Sequence, residues 1–297
     1  MDTDPTEGTR MTLGEHLAEL QTRLIRSTVV LLITFAVGWT YHENLATWFF
    51  KPYQESVGWL TESLTEKLDG EVEAGKMTWD EAFTTEDVET RELTTEWVIR
   101  DRPKGDSASA GFFFYMRVSF YFALFFGGPY ILWQLWQFVA AGLYDHEKRV
   151  VNRYFPFSML LFLSGVIFGY LLLVPYALFF LADAALLQVE YYESIDTYAS
   201  FLTSLTLALG VVFQLPVLMI AMSHIGLVKP ATYAQFRPHC IVAALILAAV
   251  LTPPDPFTQM LMAGPMIVLY EVGHLLSRLV WKTPIDEDEA DLEGAEA

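Results

Sequence analysis

One cysteine in 297 residues is the tightest shortage in this sequence. Cys240 has no second thiol to pair with, which excludes an intramolecular disulfide and any metal centre built on cysteines. Signatures of nucleotide and metal chemistry are missing too. There is no Gly-x-x-x-x-Gly-Lys-Ser/Thr loop, and neither His16 nor His146 belongs to a His-Glu-x-x-His motif. An ATPase reading is therefore unsupported, and no cofactor or metal is expected. Internal repeats are absent, whereas a secondary transporter predicts inverted repeats with interrupted helices in matching positions. Basic residues are few, 18 Lys and Arg against 36 Asp and Glu, for a net charge of −18.

Apolar residues, by contrast, make up 53% of the chain, and mean hydropathy is +0.33. They fall into long charge-free runs: Ser27 to His42, Val118 to Tyr144, Tyr154 to Ala182, Thr197 to Val228, Pro238 to Pro254 and Pro256 to Tyr270. A spanning helix takes about 20 apolar residues, and lipid offers no partner for unpaired backbone groups. The first four runs read as spanning helices. The last two, at 17 and 15 residues, fit either a re-entrant hairpin or two short spans over a thinned bilayer, and two short spans are favoured. The expected fold is all-α, a polytopic membrane protein of six transmembrane helices with the last two short.

Orientation follows the basic residues near span ends. Arg10, Arg23 and Arg26 precede the first run, Lys148, Arg149 and Arg153 follow the second, Lys229 and Arg237 follow the fourth, and Arg278 and Lys282 follow the sixth. Both termini are thus expected in the cytoplasm. The first 26 residues mix both charge signs, so no cleavable signal peptide is expected. Residues 1–26 form a cytoplasmic amphipathic segment, with Thr12 and Glu15 in a capping-box spacing and Leu13, Leu17, Leu20 and Leu24 on one helical face. Residues 27–280 form the membrane domain, including a long acidic extracytoplasmic loop over 42–111. Pro52 is expected to break the helix that leaves the membrane there. The tail over 281–297 reads as an acidic, disordered solvating segment. The acidic surface fits a high-salt cytoplasm and medium.

Several polar residues stand out. Glu19 and Arg23, four apart on the amphipathic helix, are at ion-pairing distance, and a surface pair worth a few tenths of a kcal/mol is the plain reading. Glu147, before Lys148 and Arg149, equally fits a solvated helix start. Glu271 and His274 have the Glu-x-x-His spacing of di-metal sites, but no second copy faces them. Gln214 sits mid-span two residues before Pro216, where helix glue and a partner contact are equally plausible. Thr252 and Gln259 flank the Pro253-Pro254-Asp255 turn.

Five stretches together resemble the TatC family, the receptor subunit of the twin-arginine protein translocase. They are His16-Leu-Ala-Glu-Leu-Gln-Thr-Arg-Leu24, Phe138 through Leu143-Tyr-Asp-His-Glu-Lys-Arg149, Phe213-Gln-Leu-Pro216, Leu251-Thr-Pro-Pro-Asp-Pro-Phe-Thr-Gln259 and Leu269-Tyr-Glu-Val-Gly273. With the acidic composition, a halophilic archaeal source is expected. The resemblance implies six helices, both termini cytoplasmic, and Sec-independent export of folded precursors powered by the proton-motive force, without enzymatic activity. It implies binding of twin-arginine signal peptides through Glu19 and Glu147, with Phe138, Leu143 and Tyr144 around them. It further implies TatA/TatB-type single-span partners, assigned to Gln214, Thr252 and Gln259, and several copies in a receptor complex in the cytoplasmic membrane. No nucleic-acid partner is expected; the alternative is a secondary transporter or ion channel. The sequence departs from the family in carrying Gln214 where many members have glutamate, Gln21 where arginine is common and Ala141 where proline is common.

Overall fold

A computed structural model of the chain describes residues 13–75, 109–143, 145–185, 194–252 and 255–281. In chain order they form α1 (Leu13–Thr40), α2 (His42–Glu73), α3 (Ala110–Ala141), α4 (Asp145–Phe168), a π-helical turn (Gly169–Leu173), α5 (Val174–Ala185), α6 (Ile195–Val212), α7 (Leu215–His224), α8 (Pro230–Leu251) and α9 (Pro256–Val280). Six stretches are long and apolar enough to cross a membrane: Gly14–Thr40, Ala110–Ala141, Lys148–Asp183, Ile195–His224, Pro230–Leu251 and Pro256–Val280. The third runs from α4 through the π-turn into α5, and the fourth joins α6 to α7. Much of the outward surface is apolar, as lipid requires: Leu32, Ile246 and Val250 are 61%, 59% and 76% exposed.

The last two spans are the shortest of the six, at 22 and 25 residues. They exceed their charge-free runs because the helices continue through Arg237 on one side and through Glu271 and Arg278 on the other. At 1.5 Å per residue they reach about 33 and 37 Å, enough for a hydrocarbon core of about 30 Å. Asp255 caps α9, accepting from the Thr258 backbone N–H at 2.7 Å. Gly226, at φ +79°, ends α7 in the left-handed conformation, with the Leu227 N–H donating back to the Met222 carbonyl at 3.0 Å.

Leu13 to Thr40 is one continuous helix, so the amphipathic segment and the first span share one axis. Thr12 lies outside the described residues. α1 lies along α3, α4 against α6, and α9 against α7 and α8. Close approach rests on small residues. A Cβ added at Gly165 would fall 2.7 Å from Phe213 Cγ and 2.8 Å from the Leu209 carbonyl oxygen, so α4 and α6 meet only because position 165 is bare.

Pro52 does not break the helix. α2 runs through it from His42 to Glu73. A proline inside a helix frees the carbonyl four residues back and pushes against it. That carbonyl belongs to Trp48, and the Tyr170 hydroxyl from the π-turn donates to it. The next carbonyl, of Phe49, accepts from the buried Tyr198 hydroxyl at 2.5 Å. The helix around Pro52 is thus tied by two tyrosines from two other spans. Phe49, Phe50 and Tyr53 are buried with Phe114, Val118, Leu202, Leu205 and Met262 in the larger core cluster. Further along, Trp59 packs on Tyr176 with ring centroids 4.8 Å apart, and Ser63 donates to Asp183 at 3.2 Å. α2 is therefore a docked cap on one side of the helix bundle.

Candidate functional site

The rim opposite α2 gathers the start of α1 and the end of α3. His16 stacks on Phe138 with centroids 4.5 Å apart, and its Cε1 lies close over Gly142. One turn on from His16 comes Glu19. Its Oε1 accepts from Arg23 Nε at 2.7 Å and lies 2.6 Å from Arg23 Nη2. The remaining terminal nitrogen of Arg23, Nη1, donates to Gln134 Oε1 of α3 at 3.1 Å. Gln134 is 4% exposed, a buried amide whose acceptor is turned toward a cation from another helix. The expected Glu19–Arg23 pair is thus present, and it is tied to α3.

The second half of the rim follows α3. Helix α3 runs to Ala141, three residues beyond Phe138, and Gly142 caps it with an ordinary right-handed φ of −83°. Leu143 is half-buried against a second core cluster containing Leu132, Trp136, Val151 and Val217. Gln137 of α3 donates to Asn152 of α4 at 2.9 Å, which fixes the approach of the two helices beside the turn. Tyr144 and the side chain of Glu147 lie outside the described residues; the backbone of Glu147 belongs to the first turn of α4.

Beneath this rim lies a polar chain inside the membrane domain. Trp136 Nε1 donates to Ser158 Oγ at 2.8 Å, and Ser158 Oγ donates in turn to Gln214 Oε1. Gln214 Nε2 donates to the Ser158 carbonyl at 3.0 Å, with the Gly210 carbonyl at 3.5 Å. Gln214 stands where the fourth span changes from α6 to α7, so its amide closes the break against α4. Sequence reasoning singled out Gln214 and missed Ser158, Trp136 and Gln134. Gln134 carried the signal of any amide in a spanning run, but a serine and a tryptophan in a span carry none on their own.

At the α2 side, Thr252 is buried and donates to the Ala248 carbonyl at 2.9 Å. Gln259 of α9 donates through Nε2 to the Leu245 carbonyl of α8 at 3.0 Å, joining the two short spans. Its Oε1 has no partner among the described residues. Pro253 and Pro254 lie outside them. Glu271 accepts from Arg237 Nη2 at 2.6 Å, and the same nitrogen lies 3.2 Å from His274 Nδ1. The Glu-x-x-His pair therefore serves an ion-paired clasp between α8 and α9.

A family model described as Sec-independent protein translocase protein (TatC) matches residues 15–265. The TatC protein of Halothiobacillus neapolitanus is 32% identical over 94% of this chain and 66% of its own length, so this chain spans just under two thirds of that relative. The TatC protein of Escherichia coli K12 is 36% identical over 63% of this chain and 74% of its own. A crystal structure titled Twin Arginine Translocase Receptor TatC superposes with a TM-score of 0.65 at 29% identity, covering 90% of this chain and 99% of the other. The family match takes in the rim, the Gln214 break and most of the α8–α9 hairpin. With six spans in the order of a solved relative, the chain is a multi-pass protein of the cytoplasmic membrane and belongs to the TatC family of Sec-independent protein translocase proteins.

Proposed function

We propose that this protein is the signal-peptide receptor of a twin-arginine translocase, taking folded precursors at the rim formed by α1 and α3. The observation that carries the reading is the stacking of His16 on Phe138, which holds the start of α1, one turn before Glu19, against the end of α3. Two adjacent guanidinium groups call for two carboxylates, each accepting a planar, forked pair of hydrogen bonds. Glu19 and Glu147 supply them, with Phe138, Leu143 and Tyr144 excluding water so that the charge pairs strengthen. Lysine lacks the fork and is discriminated against.

The reading is of a binding protein and not an enzyme. Both termini face the cytoplasm, as the basic residues at this rim favour, so the groove opens toward newly folded precursors. Residues 42–111 then lie outside, and 281–297 form a solvating acidic tail. TatA/TatB-type single-span subunits dock near Thr252 and Gln259, with Gln214 as a third contact. Several copies assemble into one receptor complex, and the proton-motive force drives transport.

Photo-crosslinking of the purified protein to signal peptides carrying Arg-Arg or Lys-Lys tests the site. Labelling is expected to favour Arg-Arg and to fall at least several-fold in Glu147→Ala. Equal labelling by both peptides, or undiminished labelling of the variant, would sink the reading.

A further inference from the structure

The geometry points to Arg23 as a built-in occupant of the Glu19 seat, one that a signal-peptide arginine must exchange with and that a lysine cannot readily displace. This rests on the receptor reading above and adds a specificity-determining residue to it. Arg23 approaches Glu19 side-on, through Nε and Nη2 to one oxygen, which is how an incoming peptide arginine would approach. Its third nitrogen is held by Gln134 from another helix. Arg23 and Glu19 are only 20% and 25% exposed, so the pair is pinned between α1 and α3.

Two consequences follow from charge and shape. With Arg23 in place the Glu19 carboxylate is already neutralised, and a passing cation gains little there unless it takes over Oε1. A guanidinium replaces the bonds of Arg23 one for one, whereas a lysine ammonium brings a point charge that cannot reproduce the side-on pair. Removing Arg23 should therefore help a lysine ligand more than an arginine ligand. The plain alternative is that the pair only steadies α1, as i,i+4 pairs do. In that case the two ligands are affected alike.

Partly exposed ion pairs are weak, so the competition factor is about two- to five-fold. The test measures binding of fluorescent Arg-Arg and Lys-Lys signal peptides to the full-length protein in nanodiscs, for wild type, Arg23→Gln, Gln134→Leu and Glu19→Ala. In Arg23→Gln the Lys-Lys affinity is expected to rise about two- to five-fold, with a smaller change for Arg-Arg, so that the Arg/Lys ratio falls. Gln134→Leu, which loosens Arg23 without touching the charge pair, should shift the ratio the same way by less, and it carries the test if Arg23→Gln does not fold. An unchanged ratio, or equal weakening of both peptides, overturns the inference. Glu19→Ala separates the two levels. If it leaves Arg-Arg binding intact, the assignment of Glu19 fails. If it weakens that binding while the Arg23→Gln ratio stays put, only the role of Arg23 fails.

Discussion

Gln214 spends both ends of its amide on Ser158, accepting from the hydroxyl and donating to the carbonyl. Ser158 also receives the Trp136 indole N–H, so three spans meet in one polar chain. Interhelical hydrogen bonds in lipid are worth about 0.6 kcal/mol on average and up to about 1.7. Gln214→Leu removes a donor and an acceptor together and is expected to destabilise the purified protein by about 1–2 kcal/mol, read as a lower melting temperature in detergent. Gln214→Glu should cost less, because a protonated carboxyl can donate to the Ser158 carbonyl while accepting from its hydroxyl. Were Gln214 solely a docking contact for a partner helix, neither change would move the melting temperature. Its rank as a polar residue in a span was legible in the sequence. Its partners were not, because Trp136 and Ser158 lie 22 residues apart on different helices and meet only when α3 and α4 pack. Gln134 escaped for a similar reason: its partner Arg23 lies 111 residues away.

Pro52 shows the same limit at the level of a helix. Six spans could be read from charge-free runs, since lipid imposes length and polarity directly on sequence. The course of α2 could not, because local rules make proline a helix breaker and only tertiary contacts overcome that tendency. The Trp48 carbonyl that Pro52 strips of its helical donor is served by Tyr170, and the neighbouring Phe49 carbonyl takes an added bond from Tyr198. Coupling is therefore expected between residues on separate spans. Tyr170→Phe alone should lower stability by about 1 kcal/mol, the net worth of one hydrogen bond. In a Pro52→Ala background the backbone N–H returns to serve Trp48, and the same Tyr170→Phe change should cost roughly half as much or less. A double-mutant cycle of melting temperatures checks this, and strict additivity would mean that the tyrosine is not compensating for the proline. The π-turn that carries Tyr170 has its own cause in sequence. Pro175 cannot donate back to Leu171, and the Val174 N–H reaches to the Gly169 carbonyl instead.

At the scale of the molecule, six crossings put the start of α1 and the end of α9 on one side and α2 on the other. Which side faces the cytoplasm is a matter of charge. Arg23, Arg26, Lys148, Arg149, Arg153, Lys229, Arg237 and Arg278 all sit toward the α1 rim, while α2 carries acids in excess. By the positive-inside rule that rim is expected in the cytoplasm, where the proposed receptor has to open. The lone cysteine makes the orientation straightforward to measure. In a Cys240→Ala background, single cysteines at Gly14, Ala74 and Leu227 probe the exposed start of α1, the exposed end of α2 and the exposed turn between α7 and α8. A membrane-impermeant maleimide added to intact cells is expected to label Ala74→Cys, and to label Gly14→Cys and Leu227→Cys only after the membrane is opened. The reverse pattern would turn the groove outward, away from any precursor, and the receptor reading would fall with it. Labelling of all three in intact cells would mean that the chain does not hold one orientation. Because Gly14 and Leu227 are separated by four crossings, their agreement also checks the even count of spans between them.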